Sequence, residues 1–108
     1  MNTSRPASIS DDGAVSAKIA ALAHPARLRI LRYLACRDSC FCKDVVGEFD
    51  LAQSTVSQHL KVLVAAGLVS MRAEHSKSRY EIDREAMASL SRTLTQLIGS
   101  CCAPAPRP

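Results

Sequence analysis

Five cysteines in 108 residues are the most reactive groups of this chain, and their spacing carries more than their number. Cys40 and Cys42 are separated only by Phe41, at the entrance to a short apolar-periodic segment. Thiols one residue apart turn to the same side in an irregular or cap-like segment. A helix starting there favours thiolate over thiol, because its N-terminus presents partial positive charge. Cys101 and Cys102 are adjacent near the C-terminus, and Cys36 stands four residues before Cys40. Thiolates are soft donors and select soft acceptors. Trivalent arsenic or antimony takes three of them in a pyramid. Divalent cadmium, lead or zinc prefers four ligands, and zinc also accepts His. Cys36 reads equally well as a small apolar packing residue.

The three histidines do not join this set. His24 precedes Pro25 at a helix start, His59 lies on the most polar helix face, and His75 lies in a hairpin connection. Five cysteines in a reducing compartment point to metal binding or redox sensing rather than to a disulfide framework. The cytoplasm is the expected location. No apolar run approaches the roughly 20 residues of a membrane span, and the N-terminus lacks the basic-then-apolar layout of a secretory signal.

At this length one domain is expected. Aromatic residues are few and Trp is absent, so the core must be built from Leu, Val, Ile and Ala, which favours packed helices over a large sheet. Residues 1–13 read as a polar, disordered arm. Residues 14–100 read as the folded domain, and 101–108 as a Cys-Cys and Pro-rich tail. Val15, Ile19 and Leu22 mark a first helix. A second runs from Pro25 to about residue 36, with Leu28, Leu31 and Leu34 inward. A loop over 37–41 precedes a third helix near 42–49 that buries Val45, Val46 and Phe49. Ser54 reads as the N-cap of a fourth helix, which Gly67 stops. Strands over 68–74 and 79–82, joined by 75–78, make a hairpin. Asp83 caps a last helix whose stripe is Met87, Leu90, Leu94 and Leu97.

The fourth helix buries Val56, Leu60, Leu63 and Val64 and turns Ser54, Gln58 and Lys61 outward, with Thr55, Ser57 and His59 on its flanks. Short hydrogen-bonding side chains on one exposed helix face suit the DNA major groove. Over residues 51–80, Lys61, Arg72, Lys77 and Arg79 oppose the single carboxylate of Glu74. The net charge of the whole chain is +4, so the basic character is local, and it permits a polyanion partner. Two short helices, a tight turn and a basic hairpin make a mainly α winged helix-turn-helix with a two-stranded β-hairpin wing. The terminal helices carry apolar stripes with little inside one subunit to cover them. A homodimer through those helices is the natural solution, and it matches a palindromic site on double-stranded DNA.

Three blocks in order, LAHPARLRILRYL (22–34), SCFCKDVV (39–46) and AQSTVSQHLKVLVAAGLV (52–69), resemble the ArsR/SmtB family of metal- and metalloid-responsive repressors. The resemblance covers about residues 15–95. It implies a dimer on an operator, released when a soft ion binds. It assigns DNA contact to Gln53, Ser54, Thr55, Ser57, Gln58, His59 and Lys61, and through the wing to Lys77 and Arg79. The family often places glycine at the wing tip, and this chain does not. The family's arsenic-sensing branch often carries Cys-x-Cys-x-x-Cys on the third helix. Here Val45 holds the third place, so either a ligand comes from elsewhere, Cys36 or the pair Cys101 and Cys102, or the site differs, the terminal pair forming its own with one further thiol. The divalent-ion branch uses Asp and His pairs on the last helix. Residues 84–100 hold Glu85 as their only carboxylate and no His, which argues against zinc there.

The expectation is a repressor of a metalloid-resistance operon that responds to As(III) or Sb(III), with no organic cofactor and no membrane partner. The competing signals on the same fold are Cd(II) or Pb(II) bound by four thiolates, and thiol oxidation or reactive sulfur. A thiol enzyme is disfavoured. No Gly-rich phosphate loop adjoins a cysteine, and no Cys-x-x-Cys opens a helix after a strand.

Overall fold

The computed structural model describes residues 9–106. Five helices, α1 (Ile9–Leu22), α2 (Pro25–Ala35), α3 (Cys42–Glu48), α4 (Gln53–Ala65) and α5 (Arg84–Cys102), alternate with strands β1 (Cys40–Phe41), β2 (Val69–Glu74) and β3 (Lys77–Ile82). The strands form one antiparallel sheet in the order β1-β3-β2. This is the expected winged helix-turn-helix, with one strand added. Cys40 pairs with Tyr80, and Phe41 with Arg79. A two-residue strand has too little alternation to stand out in a sequence.

Local chemistry explains most boundaries. His24 has extended backbone and its Nδ1 accepts a hydrogen bond from the Ala26 N–H at 3.1 Å, so it caps α2 with Pro25 inside the first turn. Gly67 ends α4 in the left-handed region, φ +83°. The Gly67 N–H then donates to the Val64 carbonyl at 2.9 Å and the Leu68 N–H to that of Leu63 at 3.1 Å, a Schellman pattern. Asp83 caps α5, its Oδ1 accepting from the Ala86 N–H at 3.0 Å.

Several expectations are corrected. The N-cap of α4 is Ala52, without a side-chain bond, and Ser54 lies inside the helix. The wing turn is the two residues 75–76, with Lys77 and Ser78 already in β3. His75 takes the left-handed φ of 59° there, where glycine is the easier choice. Residues 9–13, read as part of the arm, belong to α1, while 1–8 lie outside the described residues. Cys101 and Cys102, read as tail, are the last turn of α5. Residues 107–108 lie outside the described residues.

The core joins Ile30, Leu31 and Leu34 of α2, Val45 of α3, and Val56, Leu60 and Leu63 of α4 to Leu68, Val69, Tyr80, Ile82 and Leu90. Ile30 takes the buried place expected of Leu28, which is 38% exposed. Val46 and Phe49 are half-buried rather than buried. Only Leu90 of α5 is buried, while Met87 and Leu94 are half-covered. Leu97 and Ile98 are 52% and 57% exposed, leaving the end of the stripe without cover from the described residues.

Candidate nucleic-acid interface and thiol segment

Burial of Val56, Leu60 and Leu63 fixes the rotation of α4. Gln53, Ser54, Thr55, Gln58 and Lys61 are then exposed, and Ser57 and His59 are half-buried. The opposite face carries no acidic residue, since α4 contains none. The helix thus presents short donors and acceptors to solvent, with the wing beside its start.

His59 is partly occupied within the fold. Its ring lies 4.5 Å from that of His24, tilted by 55°. Arg27 Nη1 stands 3.3 Å from His59 Nδ1. A guanidinium only donates, so Nδ1 accepts and the ring hydrogen of neutral His59 sits on Nε2. Burial first, then the neighbouring His24 and Arg27, hold His59 below the usual histidine value. Arg27 is itself anchored, its Nε donating to the Ala21 carbonyl at 2.7 Å.

The two wing cations differ in the same way. Arg79 Nε and Nη2 both donate to Glu74 Oε1, at 2.9 and 2.6 Å, and Nη1 donates to Ser39 Oγ at 2.8 Å. Its guanidinium also covers the Phe41 ring. Arg79 is a brace between the wing and the segment before α3. Lys77 is exposed, with Nζ 5.3 Å from the Phe41 ring centroid. Its amine lies against that of Lys43, which holds Lys77 below the usual lysine value. Lys43 and Phe41 are absent from the sequence-derived set of site residues. Their signal in the sequence is weak: a cation and an aromatic ring beside two cysteines.

The thiols are placed unequally. Cys40 points into the core at 4% exposure, and Cys42, the first residue of α3, is half-buried. Burial pushes both thiols above their usual value. For Cys40 the Asp44 carboxylate adds to the rise, against a smaller opposing pull from Arg37. The expected gain in thiolate from the helix start is therefore overturned. Asp44 already occupies the positive end of α3, its Oδ2 accepting from the Phe41 N–H at 2.9 Å. Cys36 forms the exposed C-cap of α2, and Cys101 and Cys102 are exposed. Among the described residues, no three His, Cys, Asp or Glu side chains gather as a metal site. A three-thiolate pyramid does not fit a single chain in this arrangement.

A family model described as a helix-turn-helix domain matches residues 22–72. The chain is 36% identical over 73 residues to the arsenical resistance operon repressor of Staphylococcus xylosus, covering 68% of this chain and 69% of that protein. It is 35% identical over 92 residues to the protein of the same description from Bacillus subtilis (strain 168), covering 79% and 87%. Among solved structures, it is similar to the homodimeric winged helix-turn-helix DNA-binding domain of a possible ArsR-family transcriptional regulator from Mycobacterium bovis. That likeness has a TM-score of 0.73 at 27% identity, over 93% of this chain and 91% of the other.

Proposed function

The chain belongs to the ArsR family of winged-helix DNA-binding transcriptional regulators, and on that premise we propose that it is a repressor of a metalloid-resistance operon. Its dimer binds an operator in double-stranded DNA and leaves when As(III) or Sb(III) binds cysteine thiolates. The observation that carries the DNA half is the exposed row Gln53, Ser54, Thr55, Gln58 and Lys61, held outward by the buried Val56, Leu60 and Leu63. Ser57 and His59 contribute from the flank. Phosphate contacts supply affinity, and the α4 row supplies sequence choice.

The metalloid half is supported by the description of the relatives as arsenical resistance repressors and by five thiols in two stretches of the sequence, 36–42 and 101–102. The donor set is drawn from Cys36, Cys40, Cys42, Cys101 and Cys102. Three donors do not meet within one chain, so the site is completed by a second copy or by a change of shape on binding. The exposed pair Cys101 and Cys102 is the more accessible end of such a site. When bound, the ion supplies a cross-link between segments that are otherwise separate. Binding displaces thiol protons, and an ion that weakens DNA binding is itself held less tightly on DNA.

The test is release from the chain's own upstream DNA, read by fluorescence anisotropy with As(III), Sb(III), Cd(II) and Zn(II) under reducing conditions. A thiol oxidant is tested after removal of the reductant. Release by the trivalent ions at lower concentration than by the others supports the reading. Release only by divalent ions or only by oxidant keeps the repressor and discards the metalloid signal. Changing Cys40 and Cys42 to Ser, and separately Cys101 and Cys102, assigns the donors by which pair abolishes release while DNA binding stays intact.

A further inference from the structure

We propose that the cleft between the start of α3, the start of α4 and the wing seats a DNA backbone phosphate between Lys43 and Lys77, and that Cys42, lining the same cleft, makes an anionic adduct on its sulfur compete directly with DNA. The inference rests on the DNA-binding reading above and adds a regulatory route to it.

The cleft has a volume of about 370 Å³ and brings together Cys42, Lys43, Gln53, Ser57, Lys77 and Ser78. Its polar groups include two ammonium groups, a side-chain amide and hydroxyls, and among the described residues no carboxylate lines it. The nearest acid, Asp44, is turned to the Phe41 N–H. Lys43 and Lys77 both line the cleft and set two positive charges at it. An anion seated between them is attracted by both. Lys77 also rests near the Phe41 ring, which keeps its ammonium over the cleft. Gln53 and Ser57 belong both to this cleft and to α4. A duplex lying along α4 therefore brings its backbone to the lysines, and an isolated small anion gains no such continuity.

Cys42 is the point of regulation. It is half-buried in the wall, and Phe41 beside it touches both Lys77 and Arg79. An anionic adduct on its sulfur takes the place of the phosphate between the two ammonium groups. Release by this route needs no change of shape in the fold.

Two experiments read this directly. The first measures affinity for the chain's own upstream DNA between roughly 50 and 200 mM salt, for wild type and for Lys43→Gln/Lys77→Gln. Removing one phosphate seat from each subunit makes the slope of log affinity against log salt shallower by about 1 per seat, so by about 2 for a dimer. An unchanged slope overturns the seat. The second uses the Cys36→Ser/Cys101→Ser/Cys102→Ser background, in which Cys42 is the accessible thiol because Cys40 is buried. Methanethiosulfonates of similar size, one carrying a sulfonate and one a quaternary ammonium, are attached to Cys42, with loading confirmed by mass. The anionic adduct is expected to weaken DNA binding about tenfold more than the cationic one. Adding Cys42→Ser removes both effects. Equal loss from the two reagents, or persistence in the Cys42→Ser control, overturns the competition. A wild type that binds no duplex fails the DNA-binding reading and this inference with it. A wild type that binds with an unchanged slope in the lysine variant fails this inference alone.

Discussion

Arg79 holds its guanidinium carbon 4.3 Å from the centroid of the Phe41 ring. The same side chain is bonded to Glu74 across the wing and to Ser39 before β1. One residue of β3 thus ties the wing to the segment that carries Cys40 and Cys42. Arg79→Ala removes charge-assisted bonds at a half-buried site and a cation–π contact, and should cost about 1–2 kcal/mol. For a domain of this size that lowers the melting temperature by roughly 4–16 °C. Arg79→Lys should recover less than half, because an ammonium lacks the planar fork that serves Glu74 and Ser39 together. Thermal unfolding of the three proteins checks this, and an Arg79→Ala protein as stable as wild type would remove the brace.

The thiols should react in an order set by exposure. Cys36, Cys101 and Cys102 are exposed, Cys42 is half-buried and Cys40 is buried. Timed alkylation followed by peptide mass analysis at neutral pH should label the exposed three first and Cys40 last. Because burial raises Cys40 and Cys42, their rates should keep climbing above the ordinary thiol value of 9.0. The linked effect on stability has a definite sign. The neutral thiols favour the fold below that value, and their contribution is lost as pH rises through the raised one. Early labelling of Cys40 at neutral pH would contradict its burial.

What the sequence made legible follows from periodicity and capping. Val56, Leu60 and Leu63 recur at helical spacing, so the buried face of α4, and hence its polar face, follows directly. Gly67 and Asp83 mark their helix ends through bonds made within a few residues. The errors arise where distant partners decide. Leu28, Leu31 and Leu34 are evenly spaced, yet Ile30 goes inward and Leu28 does not. Arg27, one position before Leu28, instead turns toward α1, where the carbonyls at its C-terminal end accept from the guanidinium. The two residues of β1 carry no pattern and exist because β3 offers an edge. The state of Cys40 depends on burial against the sheet and on Asp44, which no local spacing reveals.

His59, half-buried on the flank of α4, gives the fold a response to acid. Burial, His24 and Arg27 all favour its neutral form. A lowered value means that its contribution to stability is present above the ordinary histidine value of 6.5 and is lost as pH falls through the lowered one. The loss should appear as a falling melting temperature between roughly pH 7 and 5. His59→Gln retains a polar side chain without the titration, and should flatten that part of the profile. The same slope in both proteins would place the acid response elsewhere.

The exposed end of α5 makes the sharpest claim about assembly. Leu97 and Ile98 leave more than half of their surface to solvent, and Ile19 on α1 leaves 38%. A soluble domain can carry single exposed apolar residues without consequence, but two adjacent large ones on a long helix fit a surface that is covered in a dimer. Burying one such side chain contributes about 1.5–3 kcal/mol, and a two-fold interface uses each substitution twice. Ile98→Glu should therefore weaken dimerisation by roughly 100-fold or more. Its helix content should stay unchanged, since no core residue is touched. Sedimentation across a dilution series reads the first, and circular dichroism the second. Operator affinity should fall with the dimer, because one subunit reaches only one half-site. A dimer of unaltered strength in Ile98→Glu and in Leu97→Glu would move the interface away from this end of α5. The exposed Cys101 and Cys102, a turn further along the same helix, would then lose the second copy as the nearest source of a third thiol.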